Sequence, residues 1–231
     1  MSGYTVQFRF IITGATGMVG EGVLHECLQD SFVSEVLVIN RKPCGITHPK
    51  LKEIIHKDFF DLTPIEQQLT GYNACLFCLG ISSVGMKEPE YYKLTYTLTM
   101  NLAQTLARLN KDMVFCYVSG ASTDSTEKGR SMWARVKGKT ENDLMKLPFE
   151  KVYNFRPGYM HPTPGLKNTN KYYKYITWMY PFLRVVMPNG VSTLKELGLA
   201  MISAAIGGYD KNIIEVKDIK ILAKKLDKPG S

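Results

Sequence analysis

The chain has 231 residues, 45% of them hydrophobic and 22% charged, which is enough to bury the core of one large α/β domain. No apolar run is long enough to span a membrane, and no basic stretch followed by an apolar one with a small-residue cleavage site opens the chain. The expectation is therefore a single domain over 1–231, located in the cytoplasm. The formal net charge is +8, yet basic and acidic residues balance up to residue 150, so the whole excess lies in the C-terminal third. Charge alone gives no base-reading motif, and no nucleic-acid partner is expected.

The first element is read from Phe8, Phe10, Ile11 and Ile12, an apolar run that ends in Gly14-Ala-Thr-Gly17-Met-Val-Gly20. Val19, Val23, Leu24, Cys27 and Leu28 then recur at helical spacing, so the stretch reads as strand, glycine turn and helix. A buried strand that ends in glycines and opens a helix aims backbone N–H groups and the positive helix end at one spot, where a pyrophosphate fits. Gly14 makes the tight turn, Gly17 lets the backbone approach phosphates, and Gly20 lets the helix lie close on the strand. Gly14, Thr16, Gly17, Met18, Val19 and Gly20 form the candidate cradle.

The second strand is Glu35–Asn40, followed by Arg41 and Lys42. A carboxylate at this point takes the ribose 2′-OH of NAD, whereas cations suit the 2′-phosphate of NADP. NADP is therefore the expected cofactor, ahead of NAD. A third strand at Leu51–His56 leads to Asp58 and Phe59, placed to meet the adenine. A helix at Pro64–Thr70 and a strand at Ala74–Leu79 follow, and Leu79-Gly80 offers a glycine where backbone passes close to a ribose. The remaining alternation is a helix at Pro89–Asn110, a strand at Met113–Val118, a helix at Ser131–Leu147 and a strand at Lys151–Phe155. This pattern argues for a doubly wound, mostly parallel sheet with helices on both faces and ligands at the carboxyl ends of its strands.

The five cysteines, Cys27, Cys44, Cys75, Cys78 and Cys116, are an odd number and three sit in apolar patterns, so reduced thiols are expected. Cys75 and Cys78 form a C-x-x-C within a strand, where residues three apart point to opposite faces. That spacing argues against a shared metal or disulfide, and no metal site is expected.

After the fifth strand come Ser119 and Ser122, then a helix carrying Trp133-Ala-Arg-Val-Lys137-Gly, and after the sixth strand Arg156-Pro157-Gly158-Tyr159. With the T-G-A-T-G-x-x-G at 13–20, the N-R after strand two, the V-K-G at 136–138 and the F-R-P-G at 155–158, the chain resembles the atypical short-chain dehydrogenase/reductases and their bacterial NAD(P)-binding relatives. The resemblance implies a Rossmann sheet, a dinucleotide-binding core at 1–158 that includes Pro157 and Gly158, and an oxidoreductase or epimerase-like activity. It implies a Tyr-x-x-x-Lys pair with a serine, the tyrosine as general acid/base, the lysine lowering its pKa and holding the nicotinamide ribose, and the serine holding the substrate oxygen. Lys137 matches the lysine, and Ser119 or Ser122 the serine. The tyrosine position holds Trp133, whose indole N–H donates a hydrogen bond but gives up no proton near neutral pH. Tyr159, Tyr91 and Tyr92 stay open as sources of a hydroxyl. Two function classes follow, an NADP-dependent enzyme on a small molecule, or a nucleotide-binding regulatory protein that engages a protein partner.

The part from 159 to 231 is the expected substrate side. Asn170–Met187 is crowded with aromatics and bears Lys171, Lys174 and Arg184, which reads as a lid over a pocket or as a surface that contacts membranes. Ser192–Ile206 reads as a helix capped by Thr193 or Ser192, Asn212–Val216 as an edge strand, and Lys220, Lys224 and Lys225 mark a short basic helix.

Overall fold

The computed structural model describes residues 7–168 and 179–227. Its β-rich apolar runs form β1 (Phe8–Thr13), β2 (Val33–Asn40), β3 (Leu51–Ile55), β4 (Ala74–Phe77), β5 (Val114–Val118), β6 (Lys151–Arg156), β7 (Tyr159–His161), β8 (Val191–Thr193) and β9 (Ile213–Glu215). Seven of them make one sheet in the order β3-β2-β1-β4-β5-β6-β9, with every neighbouring pair parallel. The other two, β7 and β8, pair as a small parallel ribbon. Parallel pairing demands a crossover between strands, and the segments between them supply it.

Alternate residues of the central strands feed two cores. Phe10, Ile12, Ala74, Leu76, Val114, Cys116, Tyr153 and Phe155 face one side, and they meet α1 (Met18–Gln29). The same core takes in α6 (Leu194–Gly207) and α7 (Val216–Leu226). Ile11, Cys75, Phe77, Phe115 and Tyr117 face the other side, under the 3-10 turn Thr63–Leu69, α3 (Leu98–Leu109) and α4 (Met132–Leu144). Fully buried side chains such as Val23 and Leu24 each contribute roughly 1.5–3 kcal/mol relative to exposure. Cys75 and Cys78 do lie on opposite faces, one in each core, and all five cysteines are free thiols.

Four expectations shift or sharpen in detail. Pro64–Thr70 winds as a 3-10 turn rather than an α-helix. The continuous helix expected at Pro89–Asn110 is broken into α2 (Glu88–Tyr92), a π-turn at Lys93–Thr97 and α3. The break falls in a Thr-rich stretch, where the Thr99 hydroxyl donates to the Thr95 carbonyl at 2.5 Å and competes with the regular ladder. Thr193, not Ser192, caps α6, in a reciprocal box with Glu196. The expected edge strand is β9, reduced to three residues. Of the aromatic stretch 170–187, residues 170–178 lie outside the described residues, and the rest gives the short α5 (Tyr180–Val186).

Candidate functional site

The strand order reverses at β1, whose two neighbours β2 and β4 carry the chain away in opposite directions and leave a crevice at their carboxyl ends. Gly14 turns the chain there at φ +75°, and a Cβ on it would stand 2.8 Å from the Leu79 backbone. Leu79 N–H donates to the Thr13 hydroxyl across the same gap at 3.4 Å. Gly20 sits where a Cβ would meet the Gly14 carbonyl oxygen at 2.1 Å, so only glycine lets α1 approach the turn. Gly17 differs, because its φ of −108° is open to any residue, and its bareness instead keeps the mouth of α1 clear. No side chain caps that helix, so the first-turn N–H groups of Met18, Val19 and Gly20 are left for an incoming anion.

A cleft of about 280 Å³ opens at this point, lined by Gly14, Thr16, Gly17, Arg41, Leu79 and Gly80 among others. Arg41 and Lys42 are exposed on its rim. The carboxylate of Glu53 is already engaged, accepting from Asn40 Nδ2 and from Cys44 N–H, both at 2.9 Å. The Asn40 Oδ1 atom is buried without a hydrogen-bond partner. An apolar extension of about 250 Å³ continues past Arg41, Phe59 and Leu79 to Phe60, Ile81, Leu94 and Leu98. Two sequence expectations change here. Phe59 is 2% exposed and belongs to the core, although it still lines both the cleft and its extension, and the more exposed ring is that of Phe60. The Asp58 carboxylate accepts from Phe60 N–H at 2.9 Å, turning the chain as well as lining the extension. Ile81, Leu94 and Leu98 escaped the sequence reading because they belong to a loop and a distorted helix whose approach to β2 no local pattern announces.

Next along the sheet, α4 presents Trp133, Lys137 and Glu141 at four-residue intervals on one face. Lys137 Nζ donates to the Ser119 carbonyl at 2.7 Å and the Val118 carbonyl at 3.3 Å, at the carboxyl end of β5. Burial pushes its ammonium down to about 8, against the opposing pull of Glu141. The Trp133 ring lies along the same segment, since a Cβ on Gly120 would meet its Cζ3 at 3.8 Å. Gly138 completes the V-K-G run for a steric reason, as a Cβ there would stand 1.8 Å from the Asp124 carbonyl oxygen of the loop that crosses α4.

Ser119 is not free to hold a substrate oxygen in this arrangement. Its hydroxyl donates to Glu141 at 2.5 Å and lies 3.1 Å from the Phe155 carbonyl. Glu141 is fully buried and also takes Arg156 through Nε at 3.0 Å and Nη2 at 2.5 Å, while Arg156 reaches Ser125 as well. A buried carboxylate needs every donor it can gather, and it claims Ser119. Ser122, by contrast, is exposed and held in the left-handed region at φ 67°. Gly158 is likewise accounted for by packing, because a Cβ there would sit 2.1 Å from the Gly190 carbonyl oxygen at the root of the β7–β8 ribbon, and Pro157 offers its carbonyl to Ala121 N–H. Neither residue lines the cleft. Tyr91 is buried, and burial raises its hydroxyl pKa. Tyr92 packs against Tyr96 in a tilted pair with centroids 4.6 Å apart, and Tyr159 lies beside Tyr180 on the ribbon side. A larger groove of about 770 Å³ bounded by Asn73, Glu150, Lys151 and Tyr153 lies at the amino ends of the strands, away from these groups.

Residues 10–132, just over half the chain, match the model of the NAD dependent epimerase/dehydratase family. Among named relatives, Leucinostatins biosynthesis cluster protein T of Purpureocillium lilacinum is 29% identical over 60% of this chain and 52% of its own length. Protein FMP52-2, mitochondrial, of Scheffersomyces stipitis is 26% identical over 64% of each. The chain thus spans between half and two thirds of these relatives' lengths. Among solved structures, the Bordetella bronchiseptica enzyme WbmG in complex with NAD superposes with a TM-score of 0.66 at 12% identity, covering 99% of this chain and 81% of that one. The Helicobacter pylori ADP-L-glycero-D-manno-heptose-6-epimerase gives 0.65 at 13% identity, with 98% and 85% covered. At such identities the superpositions establish the shared fold.

Proposed function

This chain belongs to the NAD-dependent epimerase/dehydratase family, and from that premise we propose that it is an NADP(H)-binding oxidoreductase-like protein of the short-chain dehydrogenase/reductase type, acting on a small molecule. The observation that carries the cofactor choice is the exposed pair Arg41 and Lys42 at the end of β2, beside a Glu53 carboxylate already committed to Asn40 and Cys44. The residues fit a dinucleotide, because the turn is one that a Cβ at Gly14 or Gly20 would fill and α1 opens uncapped. In this reading Gly14, Thr16 and Gly17 with the first turn of α1 hold the pyrophosphate, Arg41 and Lys42 hold the 2′-phosphate, and Phe60, Ile81, Leu94 and Leu98 flank the adenine. The bound cofactor supplies hydride transfer.

The chain's own contribution centres on α4. Lys137, with its pKa near 8, is an ammonium at neutral pH, and beyond the two N–H groups given to the Val118 and Ser119 carbonyls it keeps a third for an oxygen at the end of β5. Ser122 is the serine left available to a substrate oxygen. Trp133 replaces the proton donor, and loss of a positioned general acid forfeits roughly 10²–10⁴-fold in rate. Catalysis is therefore weak or confined to a special substrate, with residues 1–158 as the dinucleotide core and 159–231 as the substrate side. Trp133 also favours the second reading, a regulatory nucleotide binder that engages a protein partner. NADPH oxidation with a panel of aldehydes, ketones and nucleotide sugars separates the two. Slow native turnover, lost in Lys137→Met, supports the enzyme. Turnover absent in the native protein and gained in Trp133→Tyr supports the binder, and no turnover with either removes the oxidoreductase reading. A cytoplasmic location is part of the proposal, and fractionation of cells expressing tagged protein tests it against the mitochondrial location in the relatives' names.

A further inference from the structure

A surface helix normally turns its apolar stripe inward, but α5 does the reverse. Phe182, Val185 and Val186 recur at i, i+3 and i+4, and with Met187 they are 64%, 80%, 58% and 55% exposed. No residue of α5 is buried. The helix is nevertheless anchored, since Arg184 reaches Glu196 on α6 at 3.4 Å and Lys220 of α7 donates to the Pro188 carbonyl just beyond Met187.

That last bond brings the outer face of α7 to the edge of the apolar patch. Lys217, Lys220, Ile221 and Lys224 follow at i, i+3, i+4 and i+7, opposite the buried Val216, Ile219, Leu222 and Ala223. The acidic residue within α7, Asp218, is 3% exposed and turned in to Tyr209 and Lys211, so its charge is withdrawn from that face. An outward apolar stripe bordered by a cationic stripe is the pattern of elements that lie at the boundary of a bilayer. We propose that α5 and the outer face of α7 dock this protein on anionic lipid surfaces, with Phe182, Val185, Val186 and Met187 entering the headgroup boundary and Lys217, Lys220 and Lys224 attracted to the lipid charge. Charge complementarity selects this occupant over a second copy, which would set lysines against lysines.

Co-sedimentation of the full chain with phosphatidylserine-containing vesicles, beside pure phosphatidylcholine vesicles, tests the proposal at low and high salt. Binding is expected on the anionic vesicles, weakened by salt and near background on the neutral ones. Val185→Glu with Val186→Glu should weaken it at least tenfold, and Lys217→Glu with Lys224→Glu by a similar factor, since each cation near such a surface is worth roughly fivefold. Both pairs are exposed, so thermal melts and dinucleotide affinity should stay as in the native chain. No binding to anionic vesicles, equal binding to both kinds, or binding indifferent to the Val185 and Val186 changes would overturn it. A dimer in light scattering that Val185→Glu dissolves would assign the face to a second copy and refute lipid docking.

Discussion

Two neighbouring regions at the carboxyl end of one sheet are built on opposite plans. Around the β1–α1 turn the polar groups are left open, with an uncapped helix, bare glycines and two exposed cations at Arg41 and Lys42. Around the ends of β5 and β6 they are claimed internally, with Ser119, Arg156 and Ser125 gathered by buried Glu141 and Lys137 bound to backbone carbonyls. The first region can lose a side chain and keep its fold, while the second holds β5, β6 and α4 together. In the proposed function, cofactor binding and structural cohesion fall to different residues, and variants should separate them.

The sharpest separation comes from Glu141→Ala, which leaves the Arg156 guanidinium with only the longer 3.5 Å contact to the half-exposed Glu215 carboxylate, and should cost about 3 kcal/mol in urea denaturation. Arg41→Ala, on the exposed rim, should stay within about 0.5 kcal/mol of the native chain. Equal costs would erase the contrast. A smaller effect is expected within the turn itself. Gly20→Ala forces a Cβ towards the Gly14 carbonyl and should lose roughly 1–3 kcal/mol, whereas Gly17→Ala, with 3.4 Å of room, should lose well under that.

Lys137 gives the comparison a pH signature. Its folded pKa of about 8 lies below the ordinary 10.5, so as pH falls from 10.5 the unfolded chain takes the proton first. Its penalty is fully present below about 8 and absent above about 10.5, so this group makes the protein more stable as pH rises through that window. The gain should be on the order of 2 kcal/mol. Denaturant midpoints at the two ends of the window check it, and Lys137→Met should flatten the rise.

The parallel sheet, the glycine turn and the α4 spacing were legible because each rests on local periodicity or on glycines that sterics demand, as at Gly14 and Gly20. The fate of Ser119 was not, since the Glu141 that claims it lies 22 residues away on another element. Phe59 and Phe60 are adjacent apolar rings, and only the path of the chain decides which one is buried. Gly158 resembled a cofactor glycine in sequence, yet the constraint on it is the Gly190 carbonyl, which no local motif announces. Thr193 is the opposite case, because its cap with Glu196 is complete within four residues.

The central claim is that the open region binds NADP through the cations after β2. Calorimetric titration of the native chain and Arg41→Ala with NADP and NAD tests it most directly. The native chain should bind NADP at least about tenfold more tightly than NAD, and Arg41→Ala should abolish most of that preference while leaving NAD affinity nearly unchanged, since a charge-assisted hydrogen bond contributes roughly 1.5–3 kcal/mol. Equal affinities for the two dinucleotides in the native chain, or a preference for NADP that survives the loss of Arg41, would contradict it.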